Sequence, residues 1–103
     1  MPVIVPFSAT PKFTWDRGDP TLFVLQLSGN VTSSTFDMSV SPVRGSHFRF
    51  EIIQDAVGGR QFVWPTICKQ PPLIGQVAGQ TTVQIFELVD GPFLIPCAPP
   101  MYF

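Results

Sequence analysis

The chain has 103 residues, enough for one domain around a single core and too few for two. Six Lys and Arg against seven Asp and Glu leave a net charge of −1, and the basic residues are scattered, which excludes the footprint of a nucleic-acid or anionic-membrane partner. Charged residues are only 13%, about half the roughly 25% usual for soluble domains, while hydrophobic residues reach 45%, so little charge is available to solvate a small domain and association is expected.

Prolines at positions 2, 6 and 11 punctuate residues 1–11, with Val3, Ile4, Val5 and Phe7 between them. This reads as an extended N-terminal arm whose apolar side chains have no obvious place in one small core. The segment lacks the basic region and continuous apolar stretch of a signal peptide, and no apolar run reaches the length of a membrane span. Synthesis in a cytosol without a secretory route is therefore the expectation.

A β domain is expected over residues 12–95. Lys12–Trp15 forms a short strand, and Asp16-Arg17-Gly18-Asp19-Pro20 forms a turn. Arg17-Gly18-Asp19 matches an integrin-binding tripeptide, but these are residues that turns select anyway. Residues 21–28 are apolar on both faces and predict a central strand covered on both sides. After the Gly29-Asn30 turn, residues 31–38 form a Ser- and Thr-rich strand suited to an edge or an interface. Asn30-Val31-Thr32 matches a glycosylation acceptor, which without a secretory route is an accident of composition.

Residues 47–66 carry the clearest local signal. Phe48, Phe50 and Ile52 fall on one face of a strand, with His47, Arg49, Glu51 and Ile53 on the other. Asp55, Gly58 and Gly59 supply the turn chemistry of a hairpin loop. Pairing resumes at Arg60, so that Gln54 opposes Arg60, Ile52 opposes Phe62 and Phe50 opposes Trp64, and Pro65 ends the second strand. Residues 67–80 then form an ordered surface loop carrying Leu73 and Ile74. Thr81–Val89 is a strand with Val83, Ile85 and Val89 on one face and Phe86 and Leu88 on the other. Asp90-Gly91 turns the chain into a last short strand at residues 93–95. Residues 96–103 are a second proline-rich arm ending in Met101, Tyr102 and Phe103.

Short strands recur and no window has helical spacing, which predicts an all-β, single-domain antiparallel β-sandwich or jelly roll of about seven strands. Its parts are an N-terminal arm (1–11), the sandwich (12–95) and a C-terminal arm (96–103). Cys68 and Cys97 lack metal-ligand spacing, so neither a metal nor another cofactor is expected, and both are read as reduced, buried thiols. His47 is the only histidine and no motif ties a nucleophile to it. Four of the seven acids, Asp16, Asp19, Asp55 and Asp90, sit in turns, and Gly58-Gly59-Arg60 leads into a strand rather than a helix, so it is not a phosphate loop. No catalytic residue is assigned.

The run from Gln54-Asp55-Ala56-Val57-Gly58-Gly59-Arg60 through Trp64-Pro65, together with Asn30-Val31-Thr32, Thr82-Val83 and Asp90-Gly91, resembles a small β module of phage tail fibres and other phage virion proteins. The similarity covers residues 21–93. Members often carry a Trp-Tyr pair after Asp-Gly, where this chain has Pro92-Phe93. The resemblance implies a non-enzymatic virion structural module, often a homotrimer. A module beginning at Met1 with apolar arms suits a capsid decoration or cement protein or a small tail component, held to itself and to capsid or tail proteins through Val3, Ile4, Val5, Phe7, Met101, Tyr102 and Phe103. The alternative is a carbohydrate- or receptor-binding module using Trp15, Trp64 and Tyr102 as a stacking platform for a glycan, although the pairing of Trp64 with Phe50 places that residue in the core.

Overall fold

Alternation of apolar and polar side chains decides the elements, and the longest alternating runs lie at the centre. The computed structural model describes residues 3–15, 22–38, 45–89 and 92–103. Among these there is no helix. The strands are β1 (Val3–Val5), β2 (Lys12–Trp15), β3 (Leu22–Gln26), β4 (Thr35–Met38), β5 (His47–Ile53), β6 (Thr81–Val89), β7 (Phe93–Pro96) and β8 (Met101–Tyr102). The radius of gyration is 12.9 Å, against about 13 Å for a domain of this size, so the strands form one packed body.

Six strands make one sheet in the order β1-β3-β5-β6-β7, with β8 pairing β6 beyond the end of β7. A second sheet holds only β2 and β4. The main sheet is mixed: β1–β3 and β3–β5 are parallel, whereas β5–β6, β6–β7 and β6–β8 are antiparallel. This corrects the antiparallel expectation, and the reason is topological. β2 and β4 are excursions into the second layer, so each return to the main sheet runs in the same direction as the strand before it. The two excursions are parallel to each other for the same reason.

Register assigns the faces. Val3, Phe23, Phe50 and Gln84 lie abreast, as do Val5, Leu25, Ile52 and Thr82, and these point inward. From the second layer, Phe13, Trp15 and Phe36 pack against them, joined by Phe62 and Trp64. Phe50 is the hub, with ring centroids of Phe13, Phe23, Phe36, Trp64 and Phe86 between 5.2 and 5.9 Å away. Most of these pairs meet edge to face, the arrangement that the ring quadrupoles favour.

The predicted hairpin does not form. β5 has neighbours on both edges, β3 in five-residue register and β6 in seven-residue register, so no edge is left for residues 60–64. That segment crosses to the second layer, where the Val31 amide donates to the Gln61 carbonyl and the Ser34 hydroxyl to the Val63 carbonyl. Gln54 nevertheless meets Arg60, through its side chain. Its Oε1 accepts from the Arg60 amide at 3.0 Å and its Nε2 donates to the carbonyls of Arg60 and Gly75, both at 2.9 Å. The amide stands in for one rung of a ladder. Phe50 and Trp64 do pack, at 5.7 Å, while Ile52 is abreast of Leu25 and Thr82 rather than Phe62.

Neither end is a free arm in the described residues. β1 adds a parallel strand to β3 and buries Val5, and β8 docks on β6 with the Phe103 amide donating to the Thr81 carbonyl. The backbone hydrogen bonds gained along a sheet edge hold both ends, which proline spacing alone could not reveal. Of residues 21–28, Leu22–Gln26 is a central strand, but only one of its faces is in the core. Of residues 31–38, only Thr35–Met38 is strand. The Arg17-Gly18-Asp19 and Asp90-Gly91 turns read from the sequence lie outside the described residues.

Candidate functional site

The residues of the Gly-Gly motif form one braced corner. Asp55 Oδ1 accepts from the amides of Val57 at 3.1 Å and Gly58 at 3.0 Å, and Oδ2 pairs with Arg60 Nε at 2.9 Å. The Gly58 amide, with the Arg60 guanidinium and the Val57 amide, holds the Asp55 carboxyl below its usual range against a smaller opposing effect of desolvation. Gly58 has φ +77°, and a Cβ there would meet the Ala78 nitrogen at 2.8 Å and the Gln76 oxygen at 2.9 Å. Only glycine fits that approach. Gly59, at φ +70°, donates its amide to the Gln76 carbonyl. Trp64 is buried with Nε1 donating to the Pro72 carbonyl at 2.8 Å, and Pro65 is buried beside it. These residues are spent on one another and on residues 70–80.

The same corner carries a pocket of about 390 Å³, lined by Gln61, Phe62, Trp64 and the 71–76 segment. Leu73 stands on its rim 87% exposed, and the Tyr102 hydroxyl donates to the Leu73 carbonyl at 2.8 Å. Of the proposed stacking trio, Trp15 and Trp64 are buried and only Tyr102 is exposed. Trp15 packs edge to face on Phe48 at 5.4 Å.

A larger surface lies on the back of the main sheet. Register puts Ile4, Val24, Glu51, Val83 and Met101 abreast on the outward face, with Leu22, Arg49 and Ile85 in the next row. Ile53, Val89, Phe93 and Ile95 share that face. Ile4 is 67% exposed, and Met101, Phe93 and Ile95 are exposed too. Val83 is fully buried yet lies outside the core cluster, as do Leu22, Val24, Ile53 and Ile85. The charges on this face are few: Arg49 Nε meets Glu51 Oε2 at 3.0 Å, and His47 Nε2 lies 3.8 Å from Glu87 Oε1. The face is mixed: β5 presents His47, Arg49 and Glu51 outward beside Ile53, and the neighbouring strands supply most of the apolar side chains around that polar strip.

The structure disperses the seven residues predicted for contacts. Val3 and Val5 face inward, Ile4 and Met101 face outward, Phe7 packs its ring near Gly29, Tyr102 serves the pocket rim and Phe103 is exposed at the chain's end. Sequence reading places His47, Arg49, Glu51 and Ile53 on one face of β5 and Val83, Ile85 and Val89 on one face of β6; what it misses is that the two strands are paired and these faces adjoin. Cys68 is buried, and burial pushes its thiol up to about 12. Cys97 is exposed, which corrects the expectation for that residue: its segment runs along the edge of β6, with the Cys97 amide donating to the Ile85 carbonyl. Asn30 Oδ1 accepts from the Gln61 amide, a structural use for the residue in the glycosylation match. No group of three His, Cys, Asp or Glu side chains is placed to hold a metal among the described residues.

No protein-family model matches this chain, and no curated protein or solved structure matches it.

Proposed function

We propose that the chain is a non-enzymatic structural protein of a phage virion that associates with itself and with capsid or tail proteins. The observation that carries this reading is the outward face of the main sheet, where apolar side chains of β1, β3, β6, β7 and β8 flank a charged strip on β5 in a protein with few charges to spare. The Gln-Asp, Gly-Gly and Trp-Pro residues that resemble phage modules support it, because they are consumed in bracing one corner and none is turned toward chemistry. Mass spectrometry and immunogold labelling of particles purified from cells making this protein test the reading. Stoichiometric copies on intact particles are expected; a protein confined to the soluble fraction of a lysate rich in particles overturns it.

A second reading, a carbohydrate- or receptor-binding module, is favoured by the pocket between Phe62, Trp64 and the 71–76 segment, whose Gln61 and Gln76 amides stand beside apolar walls. Glycan-array binding that is lost in Phe62→Ala and kept in Ile4→Lys would support it over the first.

A further inference from the structure

We propose that the outward face of the main sheet binds a second copy of this chain about a two-fold axis, with β5 crossing its counterpart antiparallel and Arg49 of each copy facing Glu51 of the other. The inference rests on the self-association in the reading above and does not depend on a particle.

The argument is one of register. β5 lies third in a path of five strands, and its midpoint is Phe50, which points inward. Arg49 and Glu51 flank that midpoint on the outward face. Consider two such sheets face to face, about 10 Å apart as stacked sheets are, related by a two-fold axis that lies between them and runs across the strands at the level of Phe50. β3, β5 and β6 then each lie over their own copy, running the other way, while β7 faces the β8 end of the other copy. A residue one step before the axis meets one that is one step after it. Arg49 meets Glu51 and Leu22 meets Val24, since these occupy the two rows either side of the axis, and Ile85 lies over the row of Val83, which is already covered within its own copy. Apolar rows cover apolar rows, and the two central charges of each copy find opposite charges. The other face-to-face two-fold, with its axis along the strands, sets Arg49 against Arg49 and Glu51 against Glu51, which costs several kcal/mol. The observed charge order therefore selects one of the two arrangements.

Size is compatible with the same occupant. The strands β1, β3, β5, β6 and β7, of three, five, seven, nine and four residues, give roughly 460 Å² of face per copy at about 3.4 Å per residue and 4.8 Å spacing, before side-chain relief is counted. That is somewhat over half of the roughly 800 Å² per partner of a standard stable interface, the range of a weak, reversible dimer. Ile4 and Met101, exposed at opposite margins of the outward row, become part of the covered rim. A trimer, as the resemblance implies, needs a head-to-tail contact between different patches, whereas this face is complementary to itself.

The test is sedimentation equilibrium of the full chain from about 1 to 500 µM, for wild type, Arg49→Glu, Glu51→Arg and the double exchange, with circular dichroism confirming the fold of each. The wild type should be a dimer, each single reversal should weaken it at least about tenfold, and the double exchange should recover most of the loss because it restores every pairing. Met101→Lys, at an exposed side chain that the fold does not need buried, should also weaken the dimer. A trimer, or a dimer indifferent to the single reversals and to Met101→Lys, overturns the proposal. So does a monomer throughout, which would leave the face to a different protein; the presence or absence of the chain on particles is a separate measurement and does not decide this one.

Discussion

Replacing Gln54 by Leu should be among the most damaging single changes that leave the aromatic core intact. The side chain is 2% exposed and its amide makes three hydrogen bonds, two to Arg60 and one to Gly75. Leucine of similar size removes them all and strands one N–H and two carbonyls. A buried polar group left without a partner costs about 1–3 kcal/mol, and since Arg60 and Gly75 are only half-buried, water recovers part of the loss. The sum is about 2–4 kcal/mol, a large share of the roughly 5–15 kcal/mol that holds a domain of this size. In urea, with a slope of about 1–3 kcal/mol per molar, the midpoint should fall by about 1–2 M. Fluorescence of the buried Trp15 and Trp64 reports the transition. Gln54→Glu should be no better at pH 7, because an acceptor-only carboxylate then faces two carbonyl oxygens. A Leu variant within about 0.5 kcal/mol of wild type would refute the claim that this amide replaces a rung of the ladder.

Phe50→Ala should cost about 3–5 kcal/mol by equilibrium denaturation, since it empties the point where five rings converge, whereas Phe93→Ala on the exposed outward face should cost little in the same assay. Gly58→Ala should lower the thermal midpoint well beyond Gly59→Ala, because both leave a residue at positive φ but only the first drives a methyl into backbone atoms. Asp55 has a lowered carboxyl pKa, so its contribution is complete above the unfolded value near 3.8 and is lost as the pH falls through the lower folded value. The stability difference between wild type and Asp55→Asn, measured by urea denaturation, should accordingly shrink between pH 5 and pH 2. Thiol titration of the native protein should modify Cys97 at once and Cys68 only after unfolding.

Much of the fold was legible because alternation is a local property. The strands at 47–53 and 81–89 follow from side chains two residues apart and that at 22–26 from a continuous apolar run, and the division of Thr81–Val89 into a Phe86 and Leu88 face and a Val83, Ile85 and Val89 face is the one observed. Partners were not legible, because pairing depends on which edges are free. The hairpin between residues 47–53 and 60–64 had suitable turn chemistry, and Asp55 and Gly58 do make a tight corner. The corner turns the chain out of the sheet, however, because Thr81–Val89 offers β5 seven in-register partners and residues 60–64 offer fewer. The terminal segments were misjudged for a related reason. Prolines at 2, 6, 96, 99 and 100 argue against central strands, yet an edge strand needs donors on one side only, and β1 and β8 are edge strands. The outward face was visible in the sequence as residue types but not as a surface, since it gathers Ile4, Val24, Val83 and Met101 from four separate strands.

The parallel run β1-β3-β5 sets the order in which a growing chain can fold. As the ribosome releases the polypeptide, β1 and β3 emerge early, but together they are a two-stranded parallel ribbon, which has no independent stability in water. β5 gives them a third strand and β6 closes its other edge, and residues 54–80 must be synthesised between the two. Until Thr81–Val89 is out, Phe13, Phe23, Phe36, Phe48 and Phe50 share a nascent chain without the sheet that will bury them. Such a protein folds late and nearly all at once, and a chain stopped before Thr81 is left with its aromatic core on offer to chaperones or to other unfinished copies.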